Sequence, residues 1–467
     1  MSTAQRIDMA RAILAPQALL PQGWANDVLL VWDAAGSLIS VTPNAAGIAG
    51  IPRAPGCVVP GMPNLHSHAF QRAFAGLTEY RGDVGASADD SFWTWREHMY
   101  RFAAAVSPQS LEDISTHLYI EMLRAGYTSV CEFHYVHHDT HGRPYAEPAQ
   151  MALGIVAAAK RAGIGITLLP VLYQAGGFGA RPPAPGQRRF INDVDNLLRI
   201  VERVHASDAT VGVAPHSLRA VPPQALNEVV QGLHAMDPRA PVHIHIAEQQ
   251  REVDDCLAWS GARPVQWLLD HVGVDERWCL VHATHVDDAE LTAMAKSGAV
   301  AGLCPSTEAN LGDGVFPASR YLDAGGAWGI GSDSHATVDA AEEFRLLEYT
   351  QRLSSQKRNV LASPTRPVVA ERLWLDAVAG GACASARAIA GLAPGQRADF
   401  AVLPDEAAQG LLASQVLSSH IFARHPDTAP REVWVGGKCR VRDGQHALQA
   451  DSRRAFLAAR KQLLDEA

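Results

Sequence analysis

Gly165-Ile166-Thr167-Leu168-Leu169-Pro170-Val171-Leu172 carries no charge and no alternation of polar with apolar residues. A strand with one wet face alternates; a run that is apolar on both sides reads as a parallel strand covered on both faces. Seven further short apolar runs accompany it, at 57–64, 127–133, 210–215, 241–246, 278–282, 299–303 and 327–331. Stretches with helical periodicity lie between them, at 111–124, 149–161, 194–205, 223–234 and 287–296. Strands that alternate with helices argue for parallel βα units. Eight such units in one block favour an α/β fold of the closed (β/α)8, TIM-like type over an open sheet.

The ends of the chain read differently. Runs at 27–32 and 38–41 flank the turn Ala34-Ala35-Gly36, and runs at 399–403, 433–435 and 439–441 surround Gly436-Gly437. Short turns between β-rich runs predict hairpins. The expectation is a small composite β-sandwich domain built from residues 1–58 and 372–467, with the barrel inserted as residues 59–371. A Pro/Gly-rich stretch at 175–187 predicts a long loop of the kind that is often functional or mobile.

Composition narrows the function classes. The 467 residues are 47% hydrophobic and 19% charged, enough to bury a large core and too apolar for a disordered chain. A net charge of −9 with no long basic run argues against nucleic acid. No stretch reaches the roughly 18 apolar residues of a membrane span. Asp8 and the lack of a basic start before an apolar segment argue against a signal peptide. Seven scattered cysteines with no Cys-x-x-Cys pair predict reduced thiols and a cytoplasmic protein.

Four pieces carry ligand-type residues, each at the end of a predicted strand. They are Pro60-Gly61-Met62-Pro63-Asn64-Leu65-His66-Ser67-His68, Val242-His243-Ile244-His245-Ile246-Ala247-Glu248, Leu280-Val281-His282-Ala283-Thr284-His285 and Gly329-Ile330-Gly331-Ser332-Asp333-Ser334-His335. Alternate residues of a strand point the same way, so His-x-His aims two imidazoles at the barrel mouth. Imidazoles plus a carboxylate are the usual ligands of catalytic zinc. Any one histidine reads more simply as a hydrogen-bonded polar group at a strand end; their coincidence on strands one, five, six and eight is what points to a metal. Other features take bland readings. His134, His137, His138 and His141 look like a metal cluster, but three of them fall in a polar loop and read as solvated; Trp93 and Trp95 look like packing or lid residues, and 342–352 looks like an ordinary charged surface helix. There is no Walker A run, no Gly-x-Ser-x-Gly elbow and no Gly-x-Gly-x-x-Gly.

This constellation resembles the amidohydrolase superfamily, in its adenosine/cytosine-deaminase-like branch. The resemblance implies His66, His68, His245 and Asp333 as metal ligands, Glu248 as the proton-shuttling carboxylate and His282 as the imidazole that orients water or substrate. Asp333 would also take the water's proton. Binuclear members carry a carboxylated lysine on the fourth strand; Val211-Gly212-Val213-Ala214-Pro215-His216 has none, so one divalent ion is implied, with Zn²⁺ expected. Such an ion can bring the pKa of water from 15.7 to about 7.

Further matches are His66–Phe74, Trp93-Thr94-Trp95-Arg96, Glu132-Phe133-His134-Tyr135, Ala214–Arg219 and Cys304–Gly314. They are similar to members that act on a linear formimino dicarboxylate, and imply hydrolysis of N-formimino-L-glutamate to formylglutamate and ammonia. Arg96 and Arg219 would read the carboxylates bidentately, with Gln71, Tyr135 and His216 as neutral partners. The 83–91 stretch looks long for such members. A homodimer is also implied. Two alternatives stand beside this reading: a deaminase of a heterocycle such as guanine or an adenosine derivative, and a non-catalytic barrel scaffold.

Overall fold

The computed structural model describes residues 11–80, 91–404, 410–423 and 429–466. The segment around Asp8 and most of the 83–91 stretch lie outside the described residues. Four strands come first: β1 (Ala12–Leu20), β2 (Gly23–Trp32), β3 (Leu38–Thr42) and β4 (Val58–Pro60). The barrel strands follow as β5 (Met62–Ser67), β6 (Tyr127–His134), β7 (Gly165–Leu172), β8 (Thr210–Val211), β9 (Ala214–Pro215), β10 (Val242–Ile246), β11 (Trp278–His282), β12 (Val300–Leu303) and β13 (Ala327–Ile330). β14 (Phe400–Val402), β15 (Glu432–Val435), β16 (Lys438–Arg442) and β17 (Gln445–His446) complete the set.

β5 to β8 pair in parallel order, as do β10 to β13, and β9 pairs with β7. Two seams join these groups. At one, Val213 bridges Val242 and the His243 N–H donates to the Val213 carbonyl at 3.1 Å. At the other, Ser67 bridges Asp333, with Asp333 N–H donating to the His66 carbonyl at 3.0 Å and His68 N–H to the Asp333 carbonyl at 3.2 Å. The ladder therefore returns to its first strand, and the barrel is closed. Every residue of β6, β7, β10 and β11 is buried, as expected of strands covered on both faces.

Two single runs in the sequence are two strands each. The run 57–64 splits at Gly61: β4 pairs with β14 and β1, while β5 enters the barrel. A Cβ on Gly61 would meet the Thr128 side chain, so this crossing admits no side chain. The run 210–215 splits at Gly212, which lies hard against the Pro241 carbonyl as the chain turns toward β10.

Strands from both ends of the chain form one eight-stranded order, β17-β16-β15-β14-β4-β1-β2-β3. Trp32, Phe400 and Trp434 pack ring to ring there, with Phe400 and Trp434 stacked at 5.4 Å. The helix Val369–Ser385 packs on the barrel, where Gly381 lies against Pro63 and the Trp374 indole donates to the Pro60 carbonyl at 2.9 Å. The helix Ala340–Ser355 departs from its surface reading. Glu343 and Glu348 are fully buried, Glu343 accepting from the Ser306 N–H and hydroxyl, Glu348 from Arg352 and two backbone N–H groups. Among the described residues no cysteine forms a disulfide. Among the described residues no helix is long and apolar enough to cross a membrane.

Candidate active site

His66 and His68 end β5, His245 lies in β10, His282 ends β11, and Asp333 follows β13. All are buried. The backbone at these ends is forced: His282 (φ 67°), Ala247 (φ 49°), Ala283 (φ 49°), Asp333 (φ 43°) and His335 (φ 60°) all adopt the left-handed region. Such conformations cost roughly 1–3 kcal/mol each and persist where surrounding structure over-determines them.

His66 Nε2 lies 3.2 Å from His68 Nε2 and 3.0 Å from His245 Nε2. Asp333 Oδ1 sits 3.4 Å from the first and 3.3 Å from the second. His68 Nδ1–H donates to the Phe133 carbonyl at 2.9 Å, and His245 Nδ1–H to the His216 carbonyl at 3.0 Å. Those bonds fix both tautomers and turn bare Nε2 lone pairs inward, as carbonyls behind metal-ligating histidines do. Burial, followed for His66 and His245 by the neighbouring imidazoles, lowers the pKa of all three rings. Converging neutral lone pairs beside a carboxylate repel one another unless a cation lies between them. The donor set fits a divalent metal of the kind that takes imidazole and carboxylate ligands.

Glu248 and His282 stand beside this cluster. His282 Nε2 is 3.7 Å from Glu248 Oε1 and 3.7 Å from Asp333 Oδ2, with no hydrogen-bond partner among the described residues. Its Nδ1 faces Glu308 Oε1 at 3.4 Å. Burial pushes Glu248 up to about 7, although His282 and Arg219 pull the other way. It sits where a carboxyl can both accept and donate a proton near neutrality.

The cluster floors a narrow cavity of about 50 Å³. Gln71, Arg96, Tyr135, His216 and Arg219 all line it, together with Trp95, Tyr100, Tyr173, Phe190 and Leu311. Gln71 donates to the Tyr135 hydroxyl at 2.9 Å and leaves its own carbonyl oxygen unpaired. The Arg96 and Arg219 Nε atoms are likewise buried and unpaired among the described residues. Trp93 does more than pack. Its ring takes the guanidinium of Arg96 at 4.5 Å, of Arg251 at 4.7 Å and of Arg219 at 5.8 Å.

The solvated reading of the His134–His141 group fails for most of it. His134, His137 and His138 are buried, and His137 and His138 donate to the Val171 and Ile191 carbonyls at 2.9 and 2.7 Å. The chain around Arg189 covers them, accepting the His137 and His138 N–H groups on its carbonyl. Only His141 of the four is exposed. Conversely, sequence reasoning passed over carboxylates that support the site. Glu132 accepts from the Ser67 hydroxyl at 2.6 Å, the Ala69 N–H at 2.7 Å and the Tyr119 hydroxyl at 3.0 Å, steadying the His-x-His turn. Glu308 backs His282, and Glu252 lies beneath Arg219. Glu132 and Glu308 fall inside the motifs quoted above; nothing in the sequence singles out Glu252.

Three histidines and an aspartate that could hold a metal ion, at the C-terminal mouth of a (β/α)8 barrel, are an arrangement suited to a metal-dependent hydrolase. The amidohydrolase family profile matches residues 57–440, and the chain belongs to that family. It is similar to the formimidoylglutamate deiminase of Pseudomonas aeruginosa, with 53% identity covering 97% of this chain and 100% of the relative. A 5-methylthioadenosine/S-adenosylhomocysteine deaminase of Natronomonas pharaonis is 28% identical over 92% of each chain. Among solved structures, an amidohydrolase from Brucella melitensis superposes with a TM-score of 0.91 at 48% identity, covering 97% of this chain and 100% of that one. A zinc-bound adenosine deaminase from Xanthomonas campestris shares the fold, with a TM-score of 0.77 at 22% identity over 96% of this chain and 98% of its own.

Proposed function

We propose that the protein hydrolyses N-formimino-L-glutamate to N-formyl-L-glutamate and ammonia, a step of histidine degradation. One observation carries the reading: a single cavity has a hydrolytic cluster on its floor and two arginines, Arg96 and Arg219, in its wall. The arginines match a substrate with two carboxylates, and carboxylates around His282 match a cationic formimino group. The similarity to the Pseudomonas deiminase supports the same substrate.

His66, His68, His245 and Asp333 would hold one divalent ion, Zn²⁺ for choice given three imidazoles and one carboxylate. When bound, that ion supplies Lewis acidity, making water at the site a nucleophile near neutral pH. Arg96 and Arg219 clamp the two carboxylates, with Gln71, Tyr135 and His216 as neutral partners, and so bring the formimino carbon over the floor. Water oxygen adds to that carbon. Glu248 receives one of the water's protons and Asp333 the other as the formyl carbonyl forms, while His282 Nε2 donates to the attacking oxygen as charge develops on it. Glu248 then delivers the proton to the terminal nitrogen, the carbon–nitrogen bond breaks, and ammonia leaves. A homodimer in the cytoplasm accompanies this reading.

The test assays ammonia release by wild type, Arg96→Met and Arg219→Met on formiminoglutamate, guanine and adenosine. Stranding a carboxylate in a buried site costs about 2–5 kcal/mol. At about 1.4 kcal/mol per tenfold, kcat/KM on formiminoglutamate should fall roughly 30- to several-thousand-fold. A wild type inert on formiminoglutamate but active on a heterocycle would make it a purine deaminase.

A further inference from the structure

The two carboxylate oxygens of one buried side chain reach two different parts of the site. Glu252 lies in the first turn of the helix Gln250–Ser260 and is fully buried. Its Oε2 accepts the backbone N–H of Glu248 at 3.2 Å. Its Oε1 has no hydrogen-bond partner among the described residues and lies 3.8 Å from Arg219 Nε, which has none either. Trp93 takes the same guanidinium from another side. With Nε turned to Glu252, the two Nη groups of the planar fork are left for a carboxylate.

We propose that Glu252 is a positioning residue that couples carboxylate recognition at Arg219 to the proton shuttle at Glu248. The inference rests on the roles given to those two residues above. An N–H approaches Glu252 from each side, and only a carboxylate offers a lone pair to both. Glutamine has the same shape but sets an NH₂ against one of the two donors, and a buried donor without an acceptor is costly. Arg219 in turn supplies the counter-charge without which a buried carboxylate is expensive. When a substrate carboxylate engages the Arg219 fork, the movement of Nε is felt at Glu252, and through it at the backbone that carries Glu248. Carboxylate binding and the placement of the proton shuttle become one event.

A double-mutant cycle separates this from plain structural support, because residues that act through each other lose additivity. Metal-loaded wild type, Glu252→Gln, Arg219→Met and the double variant are assayed for kcat and KM on formiminoglutamate. Their binding of N-formyl-L-glutamate is measured by calorimetry. Glu252→Gln should weaken that binding about tenfold when Arg219 is present and less than about twofold when it is methionine. Equal losses in the two backgrounds overturn the coupling. Should Glu252→Gln fail to fold, Arg219→Met decides on formamidine, which has no carboxylate for Arg219 to read. Its kcat/KM falls several-fold if Glu252 transmits the change; an unchanged value overturns the proposal. A wild type inert on formiminoglutamate removes the substrate reading and the coupling with it, whereas an active wild type with equal losses removes the coupling alone.

Discussion

Asn64→Leu tests how the ligand turns at the two ends of the barrel are tied together. Asn64 is fully buried, two residues before the first ligand. Its Oδ1 accepts the His66 N–H at 3.3 Å and the Ser332 N–H at 3.2 Å, and its Nδ2 donates to the Ser332 hydroxyl at 2.7 Å. Leucine has the same branching and is the bulkier side chain, so no cavity term arises. What is lost is the acceptor for two backbone donors, one in each ligand turn; the Ser332 hydroxyl keeps His335 Nδ1 at 3.0 Å. A buried donor left unsatisfied costs about 1–3 kcal/mol, so the pair amounts to about 2–6 kcal/mol. Set against a typical total stability of about 5–15 kcal/mol, that is a large fraction. Thermal unfolding of metal-free protein should show a Tm lowered by several degrees, and a chelator should strip metal from the variant at lower concentration than from wild type. A variant within about 1 kcal/mol of wild type, with unaltered resistance to chelator, would refute the idea that Asn64 holds the two turns in register.

Three other outcomes follow from the geometry. His245→Ala should lose most of the single bound ion on elemental analysis, whereas His137→Ala, whose ring bonds the Val171 carbonyl, should keep it. Glu248→Gln should retain its metal yet turn over roughly 10²–10⁴-fold more slowly, and near-wild-type rates would remove Glu248 from proton transfer. Burial pushes Glu343 up to about 8 from 4.5, so the stability it contributes is full below about pH 4.5 and is lost as pH rises through about 8. Urea unfolding of wild type and Glu343→Gln at roughly pH 5 and 9 should therefore show a gap that shifts in the variant's favour on raising pH, by at most about 5 kcal/mol, and parallel curves would show that Glu343 does not titrate as stated.

Sequence periodicity located the barrel because parallel strands are buried on both faces and their apolar runs end abruptly. The run 278–282 and the helix 194–205 coincide with the observed elements to the residue. The grouping of His66, His68, His245 and Asp333 was legible for a similar reason: polar residues at the ends of apolar strands stand out. What escaped needed partners distant in the chain. β1 went unread because Pro16 interrupts its run, and one apolar stretch at 57–64 hid the passage from one sheet to another. His137 and His138 sit in a polar stretch, and only the fold of the 187–191 segment over them reveals their burial. Glu252 and Glu308 look like surface carboxylates until Arg219 and His282 are brought against them.

The seam at which Ser67 bridges Asp333 has a consequence for the life history of the protein. His66 and His68 are made early in synthesis, His245 near the middle, and Asp333 only after most of the chain has emerged. No growing chain shorter than that last strand can assemble the pocket, so an ion held by these four residues would be acquired late, by a barrel that has already found its own beginning. Metal content would thus serve as a record of completed closure: truncated or misregistered chains would stay empty.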